Sequence, residues 1–173
     1  MMTVIGERLR MLVEEVEARD LPELSEELVR SVDLPVDRGE GMAIAEVAAV
    51  TGVSAHTLRY YERIGLLTVA RDAGGRRRYD VHAVGRVMLV GRLRMGEMPV
   101  RDIAHYLDLV GQGEATVPAR VHMLQAQRRV VRQRLDQLRD VLAVLDYKIT
   151  AYGGSVSSDS PQSSSPYEPR GES

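Results

Sequence analysis

The chain has 173 residues, contains no cysteine, phenylalanine or tryptophan, and carries a formal net charge of −2 at pH 7. Without cysteine it can form neither disulfides nor thiolate metal sites. No apolar run approaches the roughly 20 residues that a membrane-spanning helix needs, so we expect no membrane partner. A core of Leu, Val, Ile, Met, Ala and Tyr favours helices over a sandwich or a barrel.

The small net charge conceals a segregation of acidic and basic residues. Residues 1–40 hold eleven acids against five bases, whereas residues 41–110 hold ten bases against seven acids. Residues 111–152 hold seven bases against four acids. A basic body is compatible with a nucleic-acid partner, although charge alone does not establish one. The acidic N-terminus does not resemble a signal peptide, and we expect a cytoplasmic location.

Residues 1–41 are predicted to form an acidic helical extension that ends in a linker. Apolar residues recur at intervals of four, three and four, which is typical of an amphipathic helix, at Ile5, Leu9, Leu12 and Val16. A second short helix is expected after Pro22, and the Pro- and Gly-containing stretch 35–41 is the linker. The extension either covers the dimer surface or forms an effector pocket, or translation starts at Met42 instead.

Residues 42–111 show the pattern of a helix-turn-helix followed by a hairpin. A first helix is predicted from Ile44 to Val50, with Gly52 in the left-handed turn. Ser54 is expected to cap a second helix that ends before Gly65. The next elements are two short strands within 66–79 around a turn at 73–75, a third helix capped by Asp80 that ends at Gly96, a fourth helix from Pro99 to Gly111, and a cap at Thr116 for the last helix.

Residues 112–152 are predicted to form one long dimerisation helix. Its apolar residues follow alternating three and four spacing, a heptad pattern interrupted by Arg128, at Val121, Leu124, Val131, Leu135, Leu138, Leu142, Leu145, Ile149 and Tyr152. About 35 residues at about 1.5 Å each make a helix about 50 Å long. We expect this stripe to pair two copies in a homodimer; the alternative is packing against the N-terminal helices. Residues 153–173 are rich in Ser, Pro and Gly and are predicted to be disordered.

Residues 44–67 and 71–79 resemble the corresponding segments of the MerR family of bacterial transcription regulators. The resemblance rests on IAEVAAVTGVSAHTLRYYERIGLL, on RDAGGRRRY, and on the spacing to the long helix, and it covers about residues 42–152. It implies a mainly α fold: a winged helix-turn-helix with a small two-stranded wing, then a long C-terminal helix in an antiparallel coiled coil. It also implies a homodimer on an overlong promoter spacer, where an effector-bound form bends and untwists the DNA for RNA polymerase. Members that sense metals or redox stress use cysteines near the end of the long helix, and this chain has none.

The candidate DNA-binding residues lie in two groups. On and before the second helix they are Ser54, His56, Thr57, Arg59, Tyr60 and Tyr61. The first turn of a recognition helix meets base edges, whereas arginine more often meets phosphate. For His56 and Arg59 the alternative is plain solvent exposure. The two tyrosines lie about 100° apart on the helix, so one of them could be buried instead.

The second group is the basic run on the hairpin, Arg76, Arg77, Arg78 and Tyr79. Three arginines beside a recognition helix favour phosphate or minor-groove contact, although such a run is often only a solvated surface. Replacing Arg76 and Arg77 by alanine should weaken binding to all sequences and flatten its salt dependence.

No pattern indicates catalysis, a cofactor or a metal site. His82, His105 and His122 stand alone on separate predicted helices, and no catalytic triad, carboxylate pair or phosphate loop is evident. We therefore expect a DNA-binding transcription regulator rather than an enzyme. The alternative is a winged-helix-derived protein-interaction module that uses the acidic extension as a docking surface and binds little DNA.

Overall fold

The computed structural model describes residues 9–12, 14 and 41–156, and the remaining N-terminal and tail predictions lie outside the described residues. The chain divides into two compact units, with the boundary between Val131 and Arg132. Residues 9–12 and 14 are helical, and Leu9 packs against the core of the first unit. Among the described helices, none is long and apolar enough to cross a membrane.

The first unit contains the helix-turn-helix and the hairpin. Its elements in chain order are helix α1 (Ile44–Thr51), helix α2 (Ala55–Arg63), strand β1 (Ala70–Arg71), strand β2 (Arg77–Arg78), helix α3 (Val81–Met95), helix α4 (Val100–Gly111) and a 3₁₀ turn (Glu114–Thr116). Helix α5 (Val117–Ala151) begins in this unit and continues into the second. The first unit therefore extends beyond the 42–111 range predicted for the DNA-binding domain.

Local capping explains where α1 ends and where α2 and α3 start. Gly52 ends α1 with φ of 72°, a left-handed conformation that costs glycine little. The Ser54 hydroxyl accepts the Thr57 N–H at 3.1 Å and starts α2. Asp80 starts α3 by accepting the Ala83 N–H at 2.7 Å. These three predictions are confirmed.

The start of α5 differs from the prediction. Thr116 was expected to cap this helix as an acceptor of an N–H group. Its hydroxyl instead faces backwards, 2.6 Å from the carbonyl oxygen of Leu109 and 2.8 Å from that of Gly113. A hydroxyl can accept a hydrogen bond while it donates one, but among the described residues no N–H group of the first turn of α5 donates to Thr116. Its hydroxyl therefore closes the end of α4 and does not cap α5. The predicted cap was wrong, and α5 follows a 3₁₀ turn instead.

The hairpin is short, with two residues in each strand. Ala70 pairs with Arg78 and Arg71 with Arg77 in antiparallel register. Beyond the hairpin, Tyr79 and Met42 exchange backbone hydrogen bonds of 2.8 and 2.9 Å. This bridge ties the entry of the unit to the exit of the hairpin.

One apolar core holds the first unit together. Its fully buried side chains come from α1, α2, the hairpin and its flanking loop, α3 and α4: Val47, Leu58, Leu66, Tyr79, Val84, Val87, Val90 and Ile103. Burying a Leu or Val side chain contributes about 1.5–3 kcal/mol, so this cluster is the main source of stability in the unit. It fixes α2 by its inner face and leaves the outer face free.

The second unit holds the remainder of α5, residues 132–151. None of the residues of α5 is fully buried. Every described residue of this segment is exposed except Asp146, which is partly buried. The exposed apolar side chains here include Leu135, Leu138, Leu142 and Leu145.

Candidate nucleic-acid interface

The outer face of α2 carries two exposed arginines and an exposed histidine. His56, Arg59 and Arg63 are exposed, whereas Leu58 on the same helix is fully buried. The Arg63 guanidinium lies 5.4 Å from the centroid of the Tyr60 ring, within cation–π distance. The sequence prediction included His56 and Arg59 but missed Arg63. Helical periodicity could have found Arg63, because it lies four residues beyond Arg59.

Ser54 and Thr57 form the N-terminal cap of α2. Besides the backbone bond described above, their hydroxyl oxygens lie 2.8 Å apart. Ser54 is exposed and Thr57 is half-buried. The structure thus places both predicted contact residues at the first turn of α2, where they also stabilise the helix that presents His56 and Arg59.

The adjacent tyrosines have separate environments. Tyr61 is only 6% exposed and belongs to the core, whereas Tyr60 is half-buried at its edge. Their ring centroids are 6.0 Å apart with the planes tilted by 49°. Tyr60 is therefore the member of the pair with substantial surface available to a ligand.

Glu62 near the end of α2 connects this helix to both strands of the hairpin. Its carboxylate lies 3.2 Å from the Arg71 guanidinium in β1 and 2.5 Å from the Arg77 Nε in β2. Charged hydrogen bonds of this kind are stronger and more directional than neutral ones. Glu62 thereby sets the position of the wing relative to α2. Sequence reasoning missed it, since the pairing depends on contacts between separate elements.

Asp72 organises the turn between the strands. Its Oδ1 accepts the backbone N–H groups of Gly74 and Arg76, each at 2.9 Å, and its Oδ2 lies 3.2 Å from the Arg78 Nε. The hydrogen bond from the Arg76 backbone is the largest influence that lowers the pKa of Asp72 below its usual value, and the bonds from Arg78 and Gly74 act in the same direction. The carboxylate is therefore charged at neutral pH and holds the turn in shape.

The three consecutive arginines are not equivalent. The Arg76 side chain is 81% exposed, against 29% for Arg77 and 28% for Arg78. Arg77 is held by Glu62 and Arg78 by Asp72, while the Arg76 Nε stands 3.6 Å from Asp72. Arg76 thus has the most freedom to reach a phosphate outside the protein.

Tyr79, which the sequence grouped with the contact residues, lies in the core. Its side chain has no exposed surface, and its hydroxyl has no hydrogen-bond partner among the described residues. Burial is the main cause that raises the pKa of Tyr79. Its ring supports the hairpin from below and is not presented at the surface.

The remaining histidines lie on three different helices. His82, His105 and His122 are exposed and lie on α3, α4 and α5. Within the described part of the chain, no group of three or more His, Cys, Asp or Glu residues could hold a metal ion.

Two helices joined by a glycine turn, with a short hairpin behind the second helix, make a winged helix-turn-helix, a fold that presents its second helix to a DNA groove. Residues 42–109 match the family model described as MerR HTH family regulatory protein. An uncharacterized HTH-type transcriptional regulator of Haemophilus influenzae is 31% identical over 109 residues, covering 62% of this chain and 81% of that protein. The chain therefore belongs to the MerR family of transcriptional regulators.

Solved structures agree with this assignment. A MerR family regulator from Listeria monocytogenes is 33% identical, with a TM-score of 0.60 over 65% of this chain and 86% of that one. HiNmlR, a MerR family regulator without a sensor domain whose structure was solved bound to promoter DNA, is 29% identical, with a TM-score of 0.60 over 65% and 91% of the two chains. The resemblance and the fold class predicted from the sequence are confirmed.

Proposed function

We propose that this transcriptional regulator binds double-stranded promoter DNA as a homodimer, with α2 in the major groove and the hairpin against the neighbouring backbone. The observation that carries the proposal is the exposed cationic face of α2 next to the exposed Arg76. The similarity to HiNmlR, which was solved on promoter DNA, supports the same placement.

The proposed contacts follow from exposure and position. Arg59 and Arg76 supply charge to phosphates, and His56 and Thr57 in the first turn of α2 meet base edges. Tyr60 brings its hydroxyl to the backbone. The less exposed Arg77 and Arg78 act mainly by keeping the hairpin in place, through their acidic partners.

The homodimer is proposed from the second unit. The heptad leucines on the outer part of α5 are about half exposed, for example 47% for Leu135 and Leu138 and 57% for Leu142. A second copy of the same helix, running antiparallel, would cover this stripe as an isologous interface. Two recognition helices held by one coiled coil would then occupy two half-sites across a promoter spacer. Bending or untwisting that spacer would let RNA polymerase engage the promoter. We place this activity in the cytoplasm.

The alternative of a protein-interaction module is less well supported. Such a module would have no need for exposed arginines on both α2 and the hairpin. Its docking surface would be the acidic extension, most of which lies outside the described residues.

Footprinting on the DNA upstream of the gene for this chain tests the proposal. We expect protection of a pseudo-palindrome between the promoter elements, lost in Arg59→Ala and retained in Arg101→Ala. Arg101 is a suitable control because its side chain is 87% exposed on α4, outside the helix-turn-helix and hairpin. Absence of protection at moderate salt would favour the protein-interaction alternative.

A further inference from the structure

A cavity of about 550 Å³ opens in the first unit, away from α2 and the hairpin. Its walls come from the turn between α3 and α4, the first turn of α4, and one face of α5 within residues 122–130. Pockets for small molecules are commonly about 300–1,000 Å³. The cavity is thus large enough for an organic ligand, and the DNA contacts proposed above make no use of it.

The lining combines an apolar body with negative charge. Pro99, Met123, Ala126 and Val130 supply apolar surface, and Met98, which is only 2% exposed, lies beneath it. A flexible methionine such as Met123 adapts to ligands of different shape. Glu97 and Asp102 supply two carboxylates, His122 and Gln127 supply an imidazole and an amide, and the lining includes neither lysine nor arginine. This chemistry suits an organic cation with an apolar body.

Neither carboxylate is held by a strong partner. Glu97 has no ion pair among the described residues, and Asp102 pairs only with Arg101, at 3.2 Å, in a pair whose arginine is 87% exposed. Exposed pairs of this kind are weak, so a bound cation can compete with Arg101. The N–H groups of Asp102 and Ile103 both donate to the Pro99 carbonyl oxygen, each at 3.0 Å, and are not available to hold an anion.

The walls of the cavity are joined firmly. The Gln127 side chain donates a hydrogen bond to the carbonyl oxygen of Gly96, which links α5 to the α3–α4 turn. Arg94 donates to the Met98 carbonyl oxygen at 2.7 Å from the other side. Glu97 has φ of 64°, the left-handed value that non-glycine residues rarely adopt. Such a turn presents its side chain from a defined backbone position, and a preformed wall lowers the ordering cost of binding.

We propose that this cavity is a binding site for a small organic cation with an apolar body, recognised by the Glu97 and Asp102 carboxylates. The site goes beyond the proposed function, because binding is measured on the protein without DNA. The apolar part of the ligand lies against Met123, over the buried Met98, and the positive charge lies near the carboxylates.

Methionine methyl groups provide a direct test in the full chain. With ¹³C-methyl methionine labels assigned by single Met→Leu variants, benzyltriethylammonium is the probe and naphthalene-2-sulfonate is the anionic comparison. We expect saturable shifts of the Met98 and Met123 methyl signals with the cation only. The signal of Met95, which is 60% exposed and does not line this cavity, should stay in place. Shifts that are equal at Met95, or that do not saturate, overturn the proposal.

Charge removal tests the recognition step. The double variant Glu97→Gln with Asp102→Asn should weaken the apparent affinity for the cation by about tenfold or more, because both attractive charges are lost. The control Glu114→Gln removes an exposed carboxylate outside the cavity and should leave the affinity unchanged. An unaltered affinity in the double variant overturns the proposal. So do Met98 and Met123 signals that shift when the protein is diluted and do not respond to the probe, because a second copy of the chain would then fill the cavity.

Three further measurements act as controls. The Met88 methyl signal, from a buried residue of the core, reports whether each variant remains folded. Ala126→Leu narrows the cavity without changing charge and should also abolish the shifts. Footprinting separates this inference from the proposed function. If the double variant loses cation binding but still protects DNA, both proposals stand. If the unmodified chain protects DNA but binds no cation, the cavity site alone is overturned.

Discussion

Leu58 and Leu138 are both leucines on helices with apolar stripes, yet Leu58 has no exposed surface and Leu138 is 47% exposed. In the first unit the apolar faces of several elements meet in one core. In the second unit the stripe of α5 has no such neighbour among the described residues. Periodicity shows that a face is apolar, but only the tertiary structure shows whether the same chain covers it.

The largest expected effect is on the free energy of unfolding, which tests this contrast between the two leucines. Leu58→Ala should lower the free energy of unfolding by about 2–5 kcal/mol, because it leaves a cavity under α2. Leu138→Ala, at protein concentrations low enough for a monomer, should change it by less than about 0.5 kcal/mol. Urea denaturation followed by circular dichroism measures both. Equal losses in the two variants would show that Leu138 is already buried within one chain.

The next effect tests whether the exposed stripe pairs two copies. Leu138→Asp should convert the dimer to a monomer, since a charge in an apolar seam is costly. Affinity for a two-half-site operator should fall by about 100-fold or more, because each half then binds alone. Sedimentation and DNA titration measure these changes. Gln137→Asp adds the same charge outside the heptad positions, and a matching loss there would contradict the assignment of the seam.

A smaller effect concerns the hairpin, where the arginines differ in exposure. Arg76→Ala should weaken binding to all DNA sequences and lower the salt dependence by about one charge. Arg77→Ala should also weaken it, by loosening the hairpin from Glu62. Glu62→Gln gives the sharper test: we expect weaker binding although a negative charge is removed. Titrations at several salt concentrations measure all three, and tighter binding by Glu62→Gln would mean that Glu62 only repels DNA.

The smallest effect concerns the core of the first unit. The buried Tyr79 hydroxyl has no partner among the described residues, so Tyr79→Phe should be neutral or stabilising by up to about 1 kcal/mol. Because burial raises the pKa of Tyr79, the unfolded chain loses this proton first as pH rises. The contribution of protonated Tyr79 to the free energy of unfolding is therefore fully present below about pH 10, the pKa in the unfolded chain. It is lost as pH rises from there through the higher pKa of the folded chain.

Urea denaturation at neutral and alkaline pH measures this difference. The alkaline loss of stability should be smaller in Tyr79→Phe than in the unmodified chain. Tyr147→Phe is the matched control, because Tyr147 is 72% exposed. An identical alkaline loss in Tyr79→Phe and the unmodified chain would contradict the assignment.

Much of the fold could be predicted because its signals are local. Gly52, Ser54 and Asp80 act on backbone groups a few residues away, so their roles can be read from the sequence. Thr116 was misassigned because its hydroxyl has carbonyl oxygens on one side and N–H groups on the other as possible partners. The preceding 3₁₀ turn decides between them.

In the candidate interface, too, some features could be predicted from the sequence and others could not. Arg59 could be predicted because helical position alone places it on the outer face of α2. The unequal exposure of Arg76, Arg77 and Arg78 could not, since it depends on Glu62 and Asp72 arriving from other elements. The burial of Tyr79 likewise results from its bridge to Met42 and from the core beneath the hairpin.

By itself, the sequence determined the helix-turn-helix, the hairpin, the long heptad helix and the family resemblance, because capping, turns and periodicity act over a few residues. The tertiary structure alone decided which hairpin arginine is most exposed, which tyrosine is buried, and that an acid-lined cavity forms where α5 meets the α3–α4 turn. These features arise from contacts between residues far apart in the chain, such as Gln127 with Gly96, which no short-range pattern encodes.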